Sequence, residues 1–562
     1  MIAPPEVGST PGGTPAGGVE SRRQAWSRRA EWRLTLGAFV IAEVLAGGLS
    51  VVKAASGGQP ETFDLGNYEY YSGFAQLHGF RSPVALPGLL QTYLDGQINT
   101  VYYLLITHLH ARPAVAAIAL LQSLAVSLLA VLVWKLARRL GGSPVAAAIA
   151  GLLAGAGAFL APIYGIEVGE TSSDSLLALP LFAAAALLYR SVTASPASRR
   201  AASRDAAIAG LLLGVAGALK FTTGPFIVAI LIGFCLALLA GRRRSGRDLR
   251  RCLLLAVLPA GVALVAALAL YLPTALLLWH RYRDPVFPYF NGIFHSPDLR
   301  PGNYRDGRWT ARSPTSFLLH YSRLLVGGDN YHNGTSQWPV RSPVMFFGIA
   351  VATVGLVIEL IRRRKPEALF LEFSLVGGFA LSEAVFGIYR YLAPIEMAAP
   401  AVVISLVLLY RLRPALTVLA VAAGVAVGSI FALEPRLGSS QAFGPSYFAV
   451  PAGAFSDLKD AGVVMAGPGP LAYLVPYLPE STELVRAGGN LDGVMSNAWW
   501  SHVTHVVRER QLPWWVLFQT GTFHKVPPAL RLVGFSGTYG DCHEVITRMA
   551  HVTVCRLPPL PP

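Results

Sequence analysis

Acidic side chains beside apolar segments are the first residues of this chain that can do chemistry. The stretch "FDLGNYEYYSGFAQLHGF" (63–80) places Asp64 soon after the first long apolar run, and "EVGETSSD" (167–174) places Glu170 and Asp174 before another. A carboxylate in such a position can act as a general base and take a proton from a hydroxyl group. The sequence therefore offers candidate bases at the edges of its apolar segments.

Basic side chains occupy similar positions and can bind an anion such as a phosphate. "LKFTTGP" (219–225) places Lys220 in a tight turn between two apolar segments, and "GIYRYLAPIE" (387–396) places Arg390 between two tyrosines. Either side chain can instead snorkel to lipid headgroups. Acids and cations gathered on one face favour a functional site over that alternative.

Composition predicts the elements that position these residues. The chain has 562 residues, of which 53% are hydrophobic and 14% charged, and its mean hydropathy is +0.49. These values are typical of a polytopic membrane protein and exclude an ordinary soluble domain. A helix needs ~20 residues to cross a bilayer. The sequence predicts a mainly α-helical bundle with eleven spans, at residues 34–52, 114–133, 144–163, 175–188, 206–219, 221–240, 252–279, 344–361, 369–386, 398–410 and 415–433.

The Lys and Arg residues predict how the spans are oriented. With the N-terminus inside, the N-terminal tail and the even-numbered gaps between spans hold 24 Lys and Arg residues and five acids, a net charge of +19, whereas the rest of the chain carries −4. Short cytoplasmic loops carry such an excess of cations. The formal net charge of +15 is thus a topology signal and not a nucleic-acid-binding surface. We predict a cytoplasmic N-terminus and an extracytoplasmic C-terminus.

Three regions follow from this pattern. Residues 1–32 are rich in Pro, Gly, Ser and Arg, and are predicted to be a disordered cytoplasmic tail. Residues 33–433 form the transmembrane domain, whose first span is predicted to be an uncleaved anchor. Residues 434–562 alternate strand-like runs such as "WWVLFQT" with polar helical stretches, which predicts a small extracytoplasmic α/β domain.

The polar stretch after the first span has a helical period. Asp64, Tyr68, Tyr71 and Ala75 fall on one stripe, and Gly79 is placed to end the helix. Because tyrosine rings are favoured at the membrane interface, we predict an outer-face helix that lies along the membrane surface. The alternative is that Asp64 is only an N-cap and that the tyrosines are only an interfacial belt.

The four cysteines agree with this topology. Cys235 and Cys252 lie in or beside spans, where a reduced thiol is expected, and Cys542 and Cys555 both fall in the outer tail. The two outer cysteines bracket a segment with the length of a hairpin. A disulfide between them is predicted for an oxidising compartment, with two free thiols as the alternative. No cysteine spacing predicts a metal site.

In these motifs the chain resembles polytopic glycosyltransferases of the GT-C superfamily, bacterial membrane enzymes that use polyprenyl-phosphate sugars. "FDLGNYEYYSGFAQLHGF" stands where those enzymes carry an acidic residue in the first outer loop, and "LKFTTG", "DPVFPYFNGIF" and "YRYLAPIE" are similar to stretches in the group. Many members have two adjacent acids, whereas Leu65 follows Asp64 here. The resemblance implies a multi-pass protein of the bacterial inner membrane with a membrane-embedded catalytic domain.

The resemblance also implies roles for the ionisable residues. Asp64 is the expected general base of an inverting transfer of a hexose or pentose to an extracytoplasmic glycan, lipid or protein, with Glu69 in reserve. Lys220 and Arg390 are the expected ligands of the donor phosphate. The segment 281–300 is expected to lie over the cavity or to be a simple packed connector. Further expected substrate contacts are the outer-face residues Asn67, Tyr68, Tyr71, Glu170, Asp174, Arg283, Asp284 and Tyr391.

Two other classes of protein stay open. One is a lipid-linked saccharide transporter or flippase, although repeated halves with broken spans are not found, and the other is a non-catalytic membrane scaffold of envelope biogenesis. The expected partners are the lipid bilayer, a polyprenyl-phosphate sugar donor and a glycan or lipid acceptor, with no nucleic acid. No cofactor is expected, and a divalent metal ion is left open. An acceptor glycan can stack on the paired tryptophans of the C-terminal domain, unless these belong to its core: Trp499, Trp500, Trp514 and Trp515.

Overall fold

A computed structural model of the chain describes residues 17–194, 198–242, 244–305, 307, 309–327, 341–412 and 439–559, without the side chains of residues 17–29 and 439. The α-helices are α1 (Gly17–Gly57), α2 (Tyr70–His78), α3 (Gly96–His108), α4 (Ala111–Arg139), α5 (Pro144–Phe159), α6 (Pro162–Glu167), α7 (Asp174–Thr193), α8 (Arg199–Leu219), α9 (Gly224–Gly241), α10 (Leu249–Tyr282), α11 (Asn291–Phe294), α12 (Pro314–Val326), α13 (Pro343–Arg362), α14 (Pro366–Val385), α15 (Ala393–Tyr410), α16 (Asn497–Glu509) and α17 (Val526–Leu532). The β-strands are β1 (Gln59–Glu61), β2 (Ser439–Gln441), β3 (Gly462–Ala466), β4 (Glu483–Ala487), β5 (Trp514–Gln519), β6 (Gly540–Ile546) and β7 (His551–Arg556).

The long helices confirm the predicted membrane-spanning bundle. Nine helices in the described part of the chain are long and apolar enough to cross a membrane, namely α1, α4, α7, α8, α9, α10, α13, α14 and α15. α5 coincides with the predicted span 144–163 but has only 16 residues. The predicted span 415–433 lies outside the described residues. The chain is therefore a multi-pass membrane protein, with nine long spans among the described residues where eleven were predicted.

Small residues allow the spanning helices to approach closely. α8 packs against α10 at Gly210 and Gly214, where an added Cβ would lie 2.5 Å from the Pro259 oxygen and 2.4 Å from the Ala263 oxygen. Such contacts are common between membrane helices, because lipid tails provide no hydrophobic force that drives helices together. The close α8–α10 pair fixes the end of α8, and with it the turn that contains Lys220.

The first helix begins earlier than the sequence predicted. α1 starts at Gly17, so residues 17–32, predicted as part of a disordered tail, are helical and continue into the first span. The reason is local composition, since Ala, Arg and Glu in this stretch are good helix formers. The prediction for residues 1–16 lies outside the described residues.

The polar segment after α1 is covered by other parts of the protein, so the predicted exposure of its tyrosines at the membrane interface is wrong. A π-helical turn (Leu65–Glu69) leads into α2, and Tyr68, Tyr70 and Tyr71 are all buried in the protein. α2 packs against α3 on one side, and Tyr70 contacts Phe448 of the C-terminal region, with 4.6 Å between ring centroids. A helical period in the sequence indicates that one face of the helix is covered, but it does not show whether a membrane or another part of the protein covers that face. α2 does end at the predicted glycine.

The C-terminal region contains the predicted strands in a five-stranded mixed sheet. The strand order is β4-β3-β5-β7-β6, in which β3 pairs parallel with β4 and β5, and β7 pairs antiparallel with β5 and β6. β3 is buried on both faces, which agrees with its unbroken apolar sequence. One face of the sheet packs on α16 and α17, and the other packs on residues 471–478, which contact the π-helical turn and α2. The C-terminal region therefore covers the polar segment that contains Asp64.

The tryptophan pairs and the outer cysteines belong to the framework of this region. Trp499, Trp500 and Trp514 are buried between α16, α17 and the sheet, which leaves these three rings no open face for a glycan. Trp515 is partly buried on the opposite face of the sheet. β6 and β7 form the expected hairpin, and the disulfide Cys542–Cys555 joins its two strands. The two cysteines of the membrane domain, Cys235 and Cys252, are free thiols.

Candidate active site

Four charged side chains meet at one end of the bundle. Arg390 Nη1 donates to Asp64 Oδ2 at 2.8 Å, and Lys220 Nζ donates to Asp174 Oδ2 at 2.9 Å. Arg390 Nε lies 3.8 Å from the same Asp174 oxygen, so Asp174 joins the two pairs. Thr222 Oγ1 lies 3.4 Å from the other Asp174 oxygen. Asp64, Asp174, Lys220 and Arg390, predicted from four separate stretches of sequence, therefore form one ionic cluster.

Each member of the ionic cluster stands at the end of a helix. Asp64 lies directly before the π-helical turn, and Asp174 is the first residue of α7. Arg390 lies in the 3-10 turn that leads into α15, and Lys220 has an extended backbone (φ −158°) between α8 and α9. An acid at the start of a helix is favoured by the unpaired N–H groups and the positive end of the helix dipole. The ends of the spans thus place these polar groups away from lipid.

Asp64 does not act as a helix cap, which removes the alternative interpretation of this residue. Its backbone is already helical, and its side chain makes no capping hydrogen bond. Thr62 has that role instead, because its Oγ1 accepts the Leu65 N–H at 3.2 Å. The Asp64 carboxylate faces Arg390, and 24% of the side chain is exposed. It is therefore the most accessible acid of the ionic cluster.

Lys220 and Arg390 do not snorkel to the bilayer surface. Their side chains are only 5% and 14% exposed, and each is paired with an acid inside the protein. The ring of Tyr391 lies near both cations, at 5.8 Å from Lys220 Nζ and 5.4 Å from Arg390 Cζ. An aromatic face attracts a cation. Because a buried charge is costly unless it is paired, the acids and the ring are what hold these two cations in the interior.

Further carboxyl groups surround the ionic cluster. Glu69 Oε2 accepts a hydrogen bond from Thr171 Oγ1 at 2.5 Å, and burial, with a contribution from Asp64, raises the pKa of Glu69 to about 7. Burial also raises the pKa of Glu170 to about 8, against the lowering effect of Arg390. The Glu170 Oε2 atom has no hydrogen-bond partner in the described ranges. At neutral pH, Glu69 is therefore partly protonated and Glu170 mostly protonated.

The sequence analysis missed two acids of this site. Asp95 precedes α3 in a left-handed backbone conformation (φ 54°), and burial raises its pKa to about 7 whereas Lys220 lowers it. Glu167 ends α6, and its Oε2 accepts the N–H and the hydroxyl of Ser175 at 2.9 and 2.6 Å. The sequence carried a signal for Glu167, which is an ionisable residue in the same motif as Glu170 and Asp174, whereas nothing near Asp95 in the sequence places it at the site.

The predicted substrate contacts around residues 67–71 separate into two groups. Tyr68 adjoins the ionic cluster, and its pKa is raised by burial and by the neighbouring acids. Asn67 Nδ2 donates to the Gly88 oxygen at 3.4 Å, and the Tyr71 hydroxyl accepts the Arg81 N–H at 3.2 Å. These two side chains therefore stabilise the loop before α3, and the structure does not bring them into the ionic cluster.

The loop after α10 reaches the site through an aromatic residue. Burial raises the pKa of Tyr289, and its neighbours Tyr391 and Asp95 contribute to that rise, which places Tyr289 beside the ionic cluster. Arg283 is exposed, and Asp284 accepts a backbone N–H of its own turn. The structure thus brings Tyr289 of this loop beside the ionic cluster, but it does not bring Arg283 and Asp284 together with the other predicted residues.

The arrangement combines an accessible carboxylate with two cations that are largely shielded from solvent. The carboxylate can accept a proton from a hydroxyl group. Cations fixed in a water-poor site stabilise negative charge strongly, because little reorganisation is needed when that charge develops. In the part of the chain that the structure describes, no group of three or more His, Cys, Asp or Glu side chains is placed to hold a metal ion.

Comparison with known proteins supports a relationship to lipid-linked sugar transferases. Residues 101–279, about a third of the chain, match the family described as dolichyl-phosphate-mannose-protein mannosyltransferase. This stretch contains Asp174 and Lys220 of the ionic cluster. The match confirms the predicted resemblance to membrane glycosyltransferases of the GT-C superfamily. No curated protein sequence matches the chain significantly.

Several solved structures are similar to the chain at low identity. Apo ArnT from Cupriavidus metallidurans is 16% identical, with 92% of this chain and 98% of that chain covered and a TM-score of 0.47. ArnT from Cupriavidus metallidurans bound to undecaprenyl phosphate is 14% identical, with coverages of 92% and 97% and a TM-score of 0.48. The apo oligosaccharyltransferase from Archaeoglobus fulgidus is 14% identical, with coverages of 89% and 71% and a TM-score of 0.47.

Proposed function

We propose that this chain is a glycosyltransferase of the bacterial inner membrane that moves a sugar from a polyprenyl-phosphate donor to an extracytoplasmic acceptor with inversion. The acceptor is a glycan, a lipid or a protein. The observation that carries the proposal is the ionic cluster, in which a partly exposed carboxylate lies 2.8 Å from a largely covered arginine next to a buried lysine. The family match over residues 101–279 supports the same reaction class. The N-terminus is proposed to be cytoplasmic, as the charge distribution predicts.

Asp64 is the proposed general base. The acceptor oxygen attacks the anomeric carbon, its proton passes to the Asp64 carboxylate, and the bond from the anomeric carbon to the phosphate oxygen breaks. A single displacement with one carboxylate inverts the anomeric configuration. The leaving group is the polyprenyl phosphate, which departs with one more negative charge than it carried in the donor. Lys220 and Arg390 stabilise that additional charge.

Arg390 lies between the proposed base and the proposed position of the donor phosphate. In the structure its guanidinium donates to Asp64. A donor phosphate that binds Arg390 competes with the carboxylate for the same N–H groups. Donor binding therefore frees the Asp64 carboxylate to accept a hydrogen bond from the acceptor hydroxyl.

Replacement of Asp64 by Asn tests this proposal. General-base catalysis contributes ~100- to 10,000-fold, so turnover should fall by that factor. Donor binding should not weaken, because the variant loses a carboxylate that competes with the phosphate for Arg390. The assay follows release of polyprenyl phosphate from a panel of polyprenyl-phosphate hexoses and pentoses with short glycan acceptors. Asp457→Asn, an exposed site in the C-terminal region, is the matched control. Near wild-type turnover of a folded Asp64→Asn protein would reject Asp64 as the base and make Glu69 the next candidate.

A further inference from the structure

A cavity of about 570 Å³ opens between α1, α4, α7, α9, α14 and α15, away from the ionic cluster. Its volume lies within the ~300–1,000 Å³ that ligand sites of proteins usually have. Its walls are almost entirely aliphatic and aromatic. Its only charged lining residues in the described part of the chain are three cations: Lys135, Arg139 and Arg190.

The three cations stand together at one rim of the cavity. Lys135 and Arg139 lie in the last turns of α4, and Arg190 lies in the last turn of α7, so all three are on the face that the charge distribution predicts to be cytoplasmic. Trp32 and Tyr189 line the same rim. Aromatic rings of this kind are enriched at the level of lipid headgroups. The rim therefore combines cations with interfacial aromatics, and the cavity below it is apolar.

Acidic neighbours neutralise the rim only in part. Glu31 lies 3.5 Å from Lys135 and 3.9 Å from Arg139, and is itself 60% exposed. Asp205 lies 3.1 Å from Arg190, whose side chain remains 47% exposed. Among the described side chains, the three cations form salt bridges with these two acids, and neither acid lines the cavity. The rim retains a positive charge and accessible N–H groups.

We propose that this cavity binds an anionic glycerophospholipid from the adjacent leaflet, with the phosphate at the three rim cations and one acyl chain in the apolar cavity. The depth agrees with this occupant. From Leu128 to Arg139 the lining of α4 extends over ~17 Å at ~1.5 Å per residue. That is about half of the ~30 Å hydrocarbon core, which is the depth of one leaflet.

The other candidate occupant is the polyprenyl chain of a donor bound at the ionic cluster. The deep end of the cavity is closed by Pro394 and Ile395, which come shortly after Arg390 along the chain. A donor with its phosphate at Arg390 would place only hydrocarbon in the cavity, and its binding would be insensitive to the charge of the rim. The rim cations therefore distinguish a lipid with its headgroup at that face from a donor chain.

Native mass spectrometry of the purified full-length chain tests the proposal. The probes are phosphatidylglycerol, phosphatidylcholine with the same acyl chains, and inorganic phosphate. We expect phosphatidylglycerol to bind more tightly than phosphatidylcholine, because each Lys or Arg near the headgroup contributes about fivefold in affinity for an anionic lipid. Arg139→Gln and Arg190→Gln should each weaken phosphatidylglycerol binding by about that factor, and the double variant should weaken it by more.

Arg138→Gln is the matched control, since Arg138 is adjacent on α4, is exposed, donates to the Gly142 oxygen and does not line the cavity. Ala186→Phe fills the cavity without a change of charge and should reduce binding of both lipids. Equal binding of the two lipids, or equal weakening by Arg138→Gln and Arg139→Gln, would overturn the proposal. Inorganic phosphate that binds as tightly as the lipid would also overturn it. A loss of polyprenyl-phosphate binding in Ala186→Phe, with no change of lipid binding in Arg139→Gln, would assign the cavity to the donor chain instead.

Discussion

Replacement of Asp174 by Asn tests how far the charges of the ionic cluster compensate one another and where the donor phosphate binds. Asp174 Oδ2 accepts from Lys220 at 2.9 Å and lies 3.8 Å from Arg390, and its side chain is 4% exposed. Asn has almost the same size but no charge. Removal of one partner from a buried ion pair costs ~3–5 kcal/mol, because the remaining charge is buried without compensation. We expect the free energy of unfolding to fall by that amount.

A bound phosphate should restore part of this loss. In the proposed complex the phosphate lies at Lys220 and Arg390 and supplies the negative charge that Asn lacks. A ligand that binds only the folded state at 100 times its dissociation constant stabilises it by ~2.7 kcal/mol. Because the variant lacks a competing carboxylate, it should bind polyprenyl phosphate more tightly than the wild type. Its stabilisation at the same ligand concentration should therefore be larger.

Thermal unfolding in detergent, followed by intrinsic fluorescence with polyprenyl phosphate or with the uncharged polyprenol, measures both effects. Glu359→Gln is the control, because Glu359 is a buried acid at the opposite end of the bundle that accepts the Arg364 and Lys365 backbone N–H groups. This variant should lose stability without preferential rescue by the phosphate. If polyprenyl phosphate stabilised Asp174→Asn no more than it stabilised the wild type, or if polyprenol acted equally well, the phosphate would not bind at these cations.

Three further changes test other parts of the structure. Burial raises the pKa of Glu170 from 4.5 to about 8, so its contribution to stability is complete below about pH 4.5 and is lost as the pH rises towards 8. The Glu170→Gln variant does not titrate, and in thermal unfolding it should lose less stability than the wild type between about pH 5 and 8. Cys542→Ser removes a disulfide that closes a loop of 13 residues and should destabilise the C-terminal region by ~3 kcal/mol, whereas mass mapping without reduction should find the linked peptides in the wild type. Gly73→Ala places a Cβ 2.3 Å from the Asn99 oxygen and should cost ~1–3 kcal/mol. Gly37→Ala, inside α1, meets no atom within 4 Å and should not destabilise the protein, because alanine favours a helix over glycine.

The membrane bundle and the face of the site could be predicted from the sequence because both depend on one-dimensional signals. Apolar stretches indicate the spans. Two polar stretches lie on the same face of the membrane when an even number of spans separates them. Glu170, Asp174, Lys220 and Arg390 all precede or follow spans on the same predicted side, and the structure brings the last three into one cluster. Three strands of the C-terminal region, β3, β5 and β7, could be predicted in the same way, since each is an apolar run between turns.

The arrangement of the helices and loops around the site could not be predicted, because it depends on contacts between segments that are distant in the sequence. Asp95 joins the site only because the loop before α3 is folded against both the membrane helices and the C-terminal region. Asn490 Oδ1, from that region, accepts the Leu90 N–H at 3.3 Å. Nothing near Asp95 in the sequence indicates this contact. For the same reason, the sequence could not show that the polar segment after α1 is covered by protein.

The π-helical turn explains why the predicted stripe of Asp64, Tyr68, Tyr71 and Ala75 is divided in the structure. A regular helix of 3.6 residues per turn would place all four on one face, whereas an i→i+5 turn adds a residue and rotates the helix after the turn relative to the residues before it. Asp64, before the turn, faces Arg390, whereas Tyr71, after it, accepts a hydrogen bond from the Arg81 N–H. π-turns inside helices are frequent at functional sites. Here the turn directs the proposed base towards the cations while α2 keeps its tyrosines in the protein core, and a regular helix could not do both.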